Sequence, residues 1–316
     1  MGEKKDVALI TGVNGFVGIH LANYLKSRGV EVYGTDVQEE PRVENITYCK
    51  SRLPHTGNLE KMLESAGISR IYHLAAISFL PDAGISPRQT LEVNLLGTVA
   101  VLDAALKVSP SARVLVTGSS KEYDLSELKK EPVDETSPLA PRDFYSLSKV
   151  TSELTGKLYA QQFGLDVRFT RSFNHTGPGQ SPKFVCSDWA RQVASIHKGL
   201  CEPKIEIGNT DQAIDFCDVR DVVRAYYYIM EKGKSGAVYN VCSGKITPLK
   251  EILDYLKNMT KKKIEIVQSV SRMRTGSPNR NITGDYSKLH FHTGWRPEID
   301  LHQTLDEIYR YWINEL

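Results

Sequence analysis

The chain has 316 residues, and none of its apolar runs approaches the roughly 18 residues that a membrane-spanning helix needs. Its first residues, MGEKKD, precede only four apolar ones, Val7 to Ile10, too few for the apolar region of a signal peptide. The expectation is a soluble cytoplasmic protein with no membrane partner. Cysteine is scarce: five, at positions 49, 186, 201, 217 and 242, odd in number and without a CxxC spacing. Buried thiols in a reducing compartment are the simplest account. No cluster of ligating residues has metal-site spacing, so no metal is expected. An excess of charge is also missing. Forty Lys and Arg stand against 38 Asp and Glu, a net +2, which argues against a surface that coats nucleic acid.

What the chain does have is concentrated in Val7-Ala8-Leu9-Ile10-Thr11-Gly12-Val13-Asn14-Gly15-Phe16-Val17-Gly18. The apolar and β-branched run closed by a glycine reads as a strand buried on both faces. Glycines 12, 15 and 18 then lead into a helix over 19–27, with apolar positions at 17, 21 and 25. Strand, glycine turn and helix N-terminus together form an anion site, where free N–H groups and the positive helix end meet a phosphate. An ordinary tight turn is the alternative. Against it stands a second strand over 30–35 that ends in Asp36, 18 residues beyond Gly18, where a ribose-binding acid belongs.

Strand and helix go on alternating. Short strands are predicted at 46–48, 70–74 and 113–117, with helices at 59–65 and 87–108. The pattern gives an α/β fold with a doubly wound parallel sheet, whose ligands lie beyond the carboxyl ends of the strands. Those ends carry Gly12, Asp36, Ala75 and Ser120. Small residues at 75 and 76 let a cofactor lie against the backbone. His73 reads as a core histidine, and Asn94, inside an apolar helix, as a brace for a neighbouring strand or loop. Tyr145 and Lys149 are four apart on the next helix and share a face. Beyond residue 180 the alternation breaks, as a second lobe requires. There an amphipathic helix at 185–198 presents Arg191, a strand covers 205–207, a helix 218–230 and a returning strand 237–241. Helices at 248–258 and 301–312 follow.

In this order GxxGxxG, HLAA, NxxGT, SS and YxxxK, spread over essentially the whole chain, resemble the extended short-chain dehydrogenase/reductase (NAD-dependent epimerase/dehydratase) family. The resemblance implies a Rossmann domain, 1–173 with 212–242, and a smaller C-terminal α/β substrate lobe, 174–211 with 243–316. It implies an NAD(P)-dependent oxidoreductase acting on a nucleotide-linked sugar, with Ser120, Tyr145 and Lys149 catalytic. Cofactor contacts are expected from Gly12, Asn14, Gly15, Phe16, Val17, Gly18, Asp36, Val37, Arg52, Leu53, Leu74, Ala75, Ala76, Asn94, Tyr145, Lys149 and Phe173. Substrate contacts are expected from Ser120, Glu122, Asn174, Lys183, Val185, Arg191, Arg274 and Arg280. The segment Phe173-Asn174-His175-Thr176-Gly177-Pro178-Gly179-Gln180 is similar to the branch of GDP-mannose 4,6-dehydratases and GDP-6-deoxy-4-keto-mannose reductases. Ser181-Pro182-Lys183-Phe184-Val185 resembles the reductases, lacking the dehydratases' paired arginines. Two departures stand out: Ile214 replaces an arginine before Asp215-Phe216, and Arg52-Leu53 replaces an Asp-Leu.

The chemistry so implied is reduction of the 4-keto group of GDP-4-keto-6-deoxymannose to GDP-rhamnose. Tyr145 donates a proton as hydride arrives, Lys149 and the oxidised nicotinamide favour the phenolate, and Ser120 holds the carbonyl oxygen. Asp36 favours NADH, and Arg52 opens the way to NADPH. The alternatives are a 4,6-dehydratase or epimerase, with Glu122 as the extra acid/base, and a non-catalytic NAD(P)-binding regulatory protein. A homodimer through a helical interface is the expected assembly.

Overall fold

A computed structural model describes residues 6–78, 86–124, 132–269 and 281–316. Seven parallel strands form the central sheet, in the order β3-β2-β1-β4-β5-β6-β10. They are β1 (Val7–Thr11), β2 (Glu31–Asp36), β3 (Thr47–Lys50), β4 (Arg70–His73), β5 (Arg113–Ser119), β6 (Val167–Ser172) and β10 (Val238–Val241). The first six follow the doubly wound order in which direction reverses between β1 and β4, so a crevice opens above their carboxyl ends. Alternation along each strand divides the core. Ala8 and Ile10 of β1 pack with Leu21 and Leu25 of the Phe16–Ser27 helix and Val222 and Ile229 of the Val219–Lys232 helix. Val7 and Leu9 face the other way, onto Leu59, Leu63, Val101 and Leu102.

The helical stretch expected over 87–108 is α-helical at Pro87–Leu91 and Gly97–Val108 and wider, π-helical, at Glu92–Leu96. Asn94 sits in that wide turn, where an extra residue per turn turns its amide inward. It accepts the Ile77 N–H at 2.7 Å and donates to the Ile77 carbonyl at 3.1 Å and to the Ser148 hydroxyl at 2.9 Å. His73 is a core residue, bonded to the Thr11 and Thr98 hydroxyls and held neutral by burial.

A second core joins Trp189 and Val193 of the Val185–Lys198 helix to Leu253, Leu305 and Ile308 of the Leu249–Lys257 and Leu301–Glu315 helices. Two boundaries differ from expectation. β9 (Ala213–Asp218), expected in the dinucleotide domain, pairs with β7 (Asn174–Thr176) and β11 (Ile246–Pro248) in a separate three-stranded sheet. Leu289 and Trp295, expected in the substrate lobe, pack instead into the core beneath the central sheet. Both shifts follow from buried apolar surface, which sequence order does not reveal. Among the described residues, no helix is long and apolar enough to cross a membrane.

Candidate active site

Above the strand ends lies a cavity of about 1720 Å³, walled on one side by the central sheet and on the other by the C-terminal lobe. The glycine turn shapes the first wall. Gly12 has φ +74°, and a Cβ on it would meet the Ala75 nitrogen at 2.8 Å; a Cβ on Gly18 would stand 2.3 Å from the Gly12 carbonyl oxygen. Only glycine lets turn, helix and β4 close up in this way. No side chain caps the helix that begins at Phe16, so its first N–H groups face the cavity. Asp36 closes β2, accepting the Val37 N–H at 2.7 Å and the Asn14 N–H at 3.1 Å. A phosphate-accepting turn beside a carboxylate fits the pyrophosphate and ribose of a dinucleotide. Gly15, Phe16, Val17, Val37, Arg52, Leu53, Leu74, Ala76 and Phe173 line the same cavity. Asn94, expected here, does not. Its amide is fully engaged behind the wall, and it shapes the Ile77 backbone instead.

Asp143 caps the Phe144–Phe163 helix by accepting the Ser146 N–H at 2.7 Å, which fixes where Tyr145 and Lys149 project. Lys149 Nζ donates to the Thr117 carbonyl at 2.7 Å and lies 5.9 Å from the Tyr145 ring centroid. Burial brings the ammonium down to about 8. Desolvation also dominates at Tyr145 and pushes the phenol above its ordinary value, against the expectation that Lys149 would lower it. A ring-to-ammonium separation of this size does not outweigh the loss of water in the ligand-free protein.

The hydroxyl that acts on the Tyr145 phenol, favouring its ionised form, is that of Ser119 rather than the expected Ser120, and both residues line the cavity. β5 runs two residues past Thr117, so the strand ends on Ser119 and a 3₁₀ turn begins at Ser120. The Ser119 hydroxyl accepts the Lys121 N–H at 3.2 Å, which leaves its own proton available to donate. Ser120 lines the cavity one position further on. The period-two alternation of a strand held the missed signal: Ser119 shares the side of Thr117, beside Lys149.

On the far wall Asn174, Lys183 and Val185 line the cavity, together with Asp188, Trp189, Asn209 and Gln212, which the sequence reading missed. Arg191, expected here, does not line it; its guanidinium lies against Asp188 at 3.9 Å, with Nε buried. Glu122 is also absent from the lining and is 0% exposed. Arg274 and Arg280 lie outside the described residues.

Residues 9–308 match the family model for GDP-mannose 4,6 dehydratase. The chain belongs to that family. It is 35% identical to GDP-6-deoxy-D-mannose reductase of Pseudomonas aeruginosa, over 96% of each chain. GDP-mannose 4,6-dehydratase of Vibrio cholerae is 25% identical, over 96% of this chain and 93% of its own. The solved structure of RMD from Pseudomonas aeruginosa complexed with NADPH has a TM-score of 0.83 and 32% identity, covering 99% of this chain and all of that one. The central sheet is a Rossmann sheet, and a nicotinamide cofactor accompanies the fold in the Pseudomonas aeruginosa structure.

Proposed function

We propose that the protein reduces the 4-keto group of GDP-4-keto-6-deoxy-D-mannose to GDP-D-rhamnose, with NADPH or NADH as reductant. The cofactor, when bound, supplies the hydride; the chain supplies alignment and the proton. A phenol held protonated in a desolvated pocket is suited to give its proton to a keto oxygen that is becoming an alkoxide. The Ser119 hydroxyl, which lines the same cavity, guides the carbonyl oxygen toward the phenol. Lys149, charged below a pH of about 8, faces the phenolate left behind until solvent returns its proton.

One observation favours reduction over the dehydratase alternative. Elimination needs a further acid/base beside Tyr145, and the sequence offers Glu122, which is sealed from the cavity. The acids that do line the cavity are engaged elsewhere. Asp36 belongs to the ribose, Asp143 caps a helix, and Asp215 accepts from Ser243, Gly244 and Gly284. Asp188 stands on the far wall, beside Gln192. Stoichiometry provides the test. Oxidation of one NAD(P)H per keto sugar, with no turnover of GDP-mannose, is the expected result; turnover of GDP-mannose without net cofactor consumption overturns it.

The finer preferences are proposals too. Asp36 repels a 2′-phosphate and favours NADH, while Arg52, exposed on the same wall, gives NADPH a countercharge. An Arg52→Ala variant should lose kcat/KM with NADPH and keep it with NADH. Leu147, Leu154 and Leu158 leave an apolar stripe exposed on the Phe144–Phe163 helix, which suits a helical homodimer interface. Leu154→Lys should then yield monomers in light scattering. A cytoplasmic location accords with the reduced cysteines this reading assumes.

A further inference from the structure

The proposed reaction leaves Glu122 without a task, yet the chain is arranged around its carboxyl. The side chain folds back beneath the end of β5, so that Oε1 accepts the Ser119 N–H at 2.6 Å. There is room because residue 118 is glycine; a Cβ there would stand 2.4 Å from Oε1 and 2.3 Å from the Thr170 carbonyl oxygen. Oε2 is buried and takes no hydrogen bond. Arg171 Nε is 3.8 Å away, but that guanidinium is committed to Glu153 through bonds of 2.9 and 2.8 Å. Lys149, Tyr145 and Glu153 face the carboxyl from the long helix, and Arg171 faces it from β6. Burial, reinforced by Glu153, pushes the carboxyl well above the usual carboxylate range. An acid with an orphaned oxygen is costly to bury, and an apolar side chain would fill the space more cheaply.

We propose that Glu122 is a positioning residue for the proton transfer, locking the Ser119 backbone so that the Ser119 hydroxyl is held on the cavity wall it shares with the Tyr145 phenol. Two reciprocal bonds do this. Glu122 accepts from the Ser119 N–H, and the Ser119 hydroxyl accepts from the Lys121 N–H in the same 3₁₀ turn. With both in place the Ser119 backbone and hydroxyl oxygen are fixed at the strand end that lines the cavity. Without the carboxyl, a buried N–H loses its acceptor and the strand end is free to rotate. Glu122 touches neither cavity nor substrate and acts through Ser119 alone.

The inference rests on the reductase reading with Tyr145 as donor, and a double-mutant cycle separates the two. Glu122→Met fills the volume without an acceptor, whereas Glu122→Gln keeps an acceptor oxygen. Steady-state reduction of GDP-4-keto-6-deoxymannose is measured alongside cofactor binding by fluorescence. Glu122→Met should lower kcat by about ten- to a hundred-fold with KM and cofactor affinity unchanged. Glu122→Gln should recover to within about threefold of the parent. In a Ser119→Ala background, Glu122→Met should cost almost nothing further. Parental kcat in Glu122→Met, a loss carried by KM, a Gln variant as poor as Met, or full additivity with Ser119→Ala each overturn the proposal. Parental kcat in Ser119→Ala alone overturns the role given to Ser119 and this inference with it, while leaving the reductase reading standing. Should Glu122→Met lose cofactor binding, Glu122→Asp, one methylene short of Ser119, takes its place under the same criteria.

Discussion

The two walls of the cavity are built from different materials. The cofactor wall is mostly backbone: the turn at Gly12, the uncapped start of the Phe16–Ser27 helix, and the strand end at Asp36. The facing wall, proposed above for the sugar nucleotide, is mostly side chains: Asn174, Lys183, Asp188, Trp189 and Gln212. Backbone N–H groups persist through most side-chain substitutions, and they suit the pyrophosphate that NADH and NADPH share. Side chains can be exchanged singly, which suits a wall that selects among sugar nucleotides. Tyr145, Ser119 and Lys149 stand where the walls meet.

That contrast breaks most severely at the junction. Tyr145→Phe keeps the shape and removes the proton, so kcat should fall by about 10²–10⁴ with cofactor affinity nearly intact. Near-normal turnover in single-turnover assays would remove Tyr145 from the chemistry. On the backbone wall, Gly18→Ala forces a Cβ against the Gly12 carbonyl. Cofactor affinity, read by fluorescence, should weaken by at least about tenfold, while retention on immobilised GDP is little affected. On the side-chain wall the result should be the reverse. Lys183→Ala should raise KM for the sugar nucleotide by about tenfold, the value of one charge-assisted bond. Arg191→Ala should change it less, because Arg191 does not line the cavity and its guanidinium lies against Asp188. Equal effects from the two would mean that the wall has been misplaced.

The smallest effect is one of pH. Burial lowers Lys149 to about 8, so its charge is present below that pH and lost above it. The profile of kcat/KM, which reports the free enzyme, should therefore fall as pH rises through about 8. A flat profile to pH 10 would show that the ammonium takes no part.

Legibility followed the same division. The spacing of Gly12, Gly15, Gly18 and Asp36 expresses two strands, one turn and one helix, and local geometry fixes where each side of it faces. Asn94 was legible as a brace but not as a residue outside the cavity, because a π turn rotated it inward. Ser119 and Ser120 were indistinguishable as letters. Which of them meets Tyr145 depends on where β5 ends, and that is set by its pairing with β6, where Ser119 stands opposite Ser172. Arg191 carried the right charge for a diphosphate on a helix of the right lobe. Its direction was decided by packing of Trp189 and Val193 into the second core.

By itself the sequence determined the parallel sheet, the dinucleotide turn and the Tyr145–Lys149 pair. The turn and the pair rest on residues a few positions apart, and the sheet on a repeated strand–helix alternation, relations that the backbone enforces. Tertiary structure alone decided that Glu122 is a sealed neighbour of Ser119 rather than a reagent. It also decided that β9 leaves the main sheet and that the far wall is formed by Asp188, Trp189 and Gln212. Apart from the Ser119–Glu122 bond itself, these relations join residues tens of positions apart, as where Thr170 and Arg171 enclose Glu122, and only the burial of apolar surface and the pairing of strand edges bring them together.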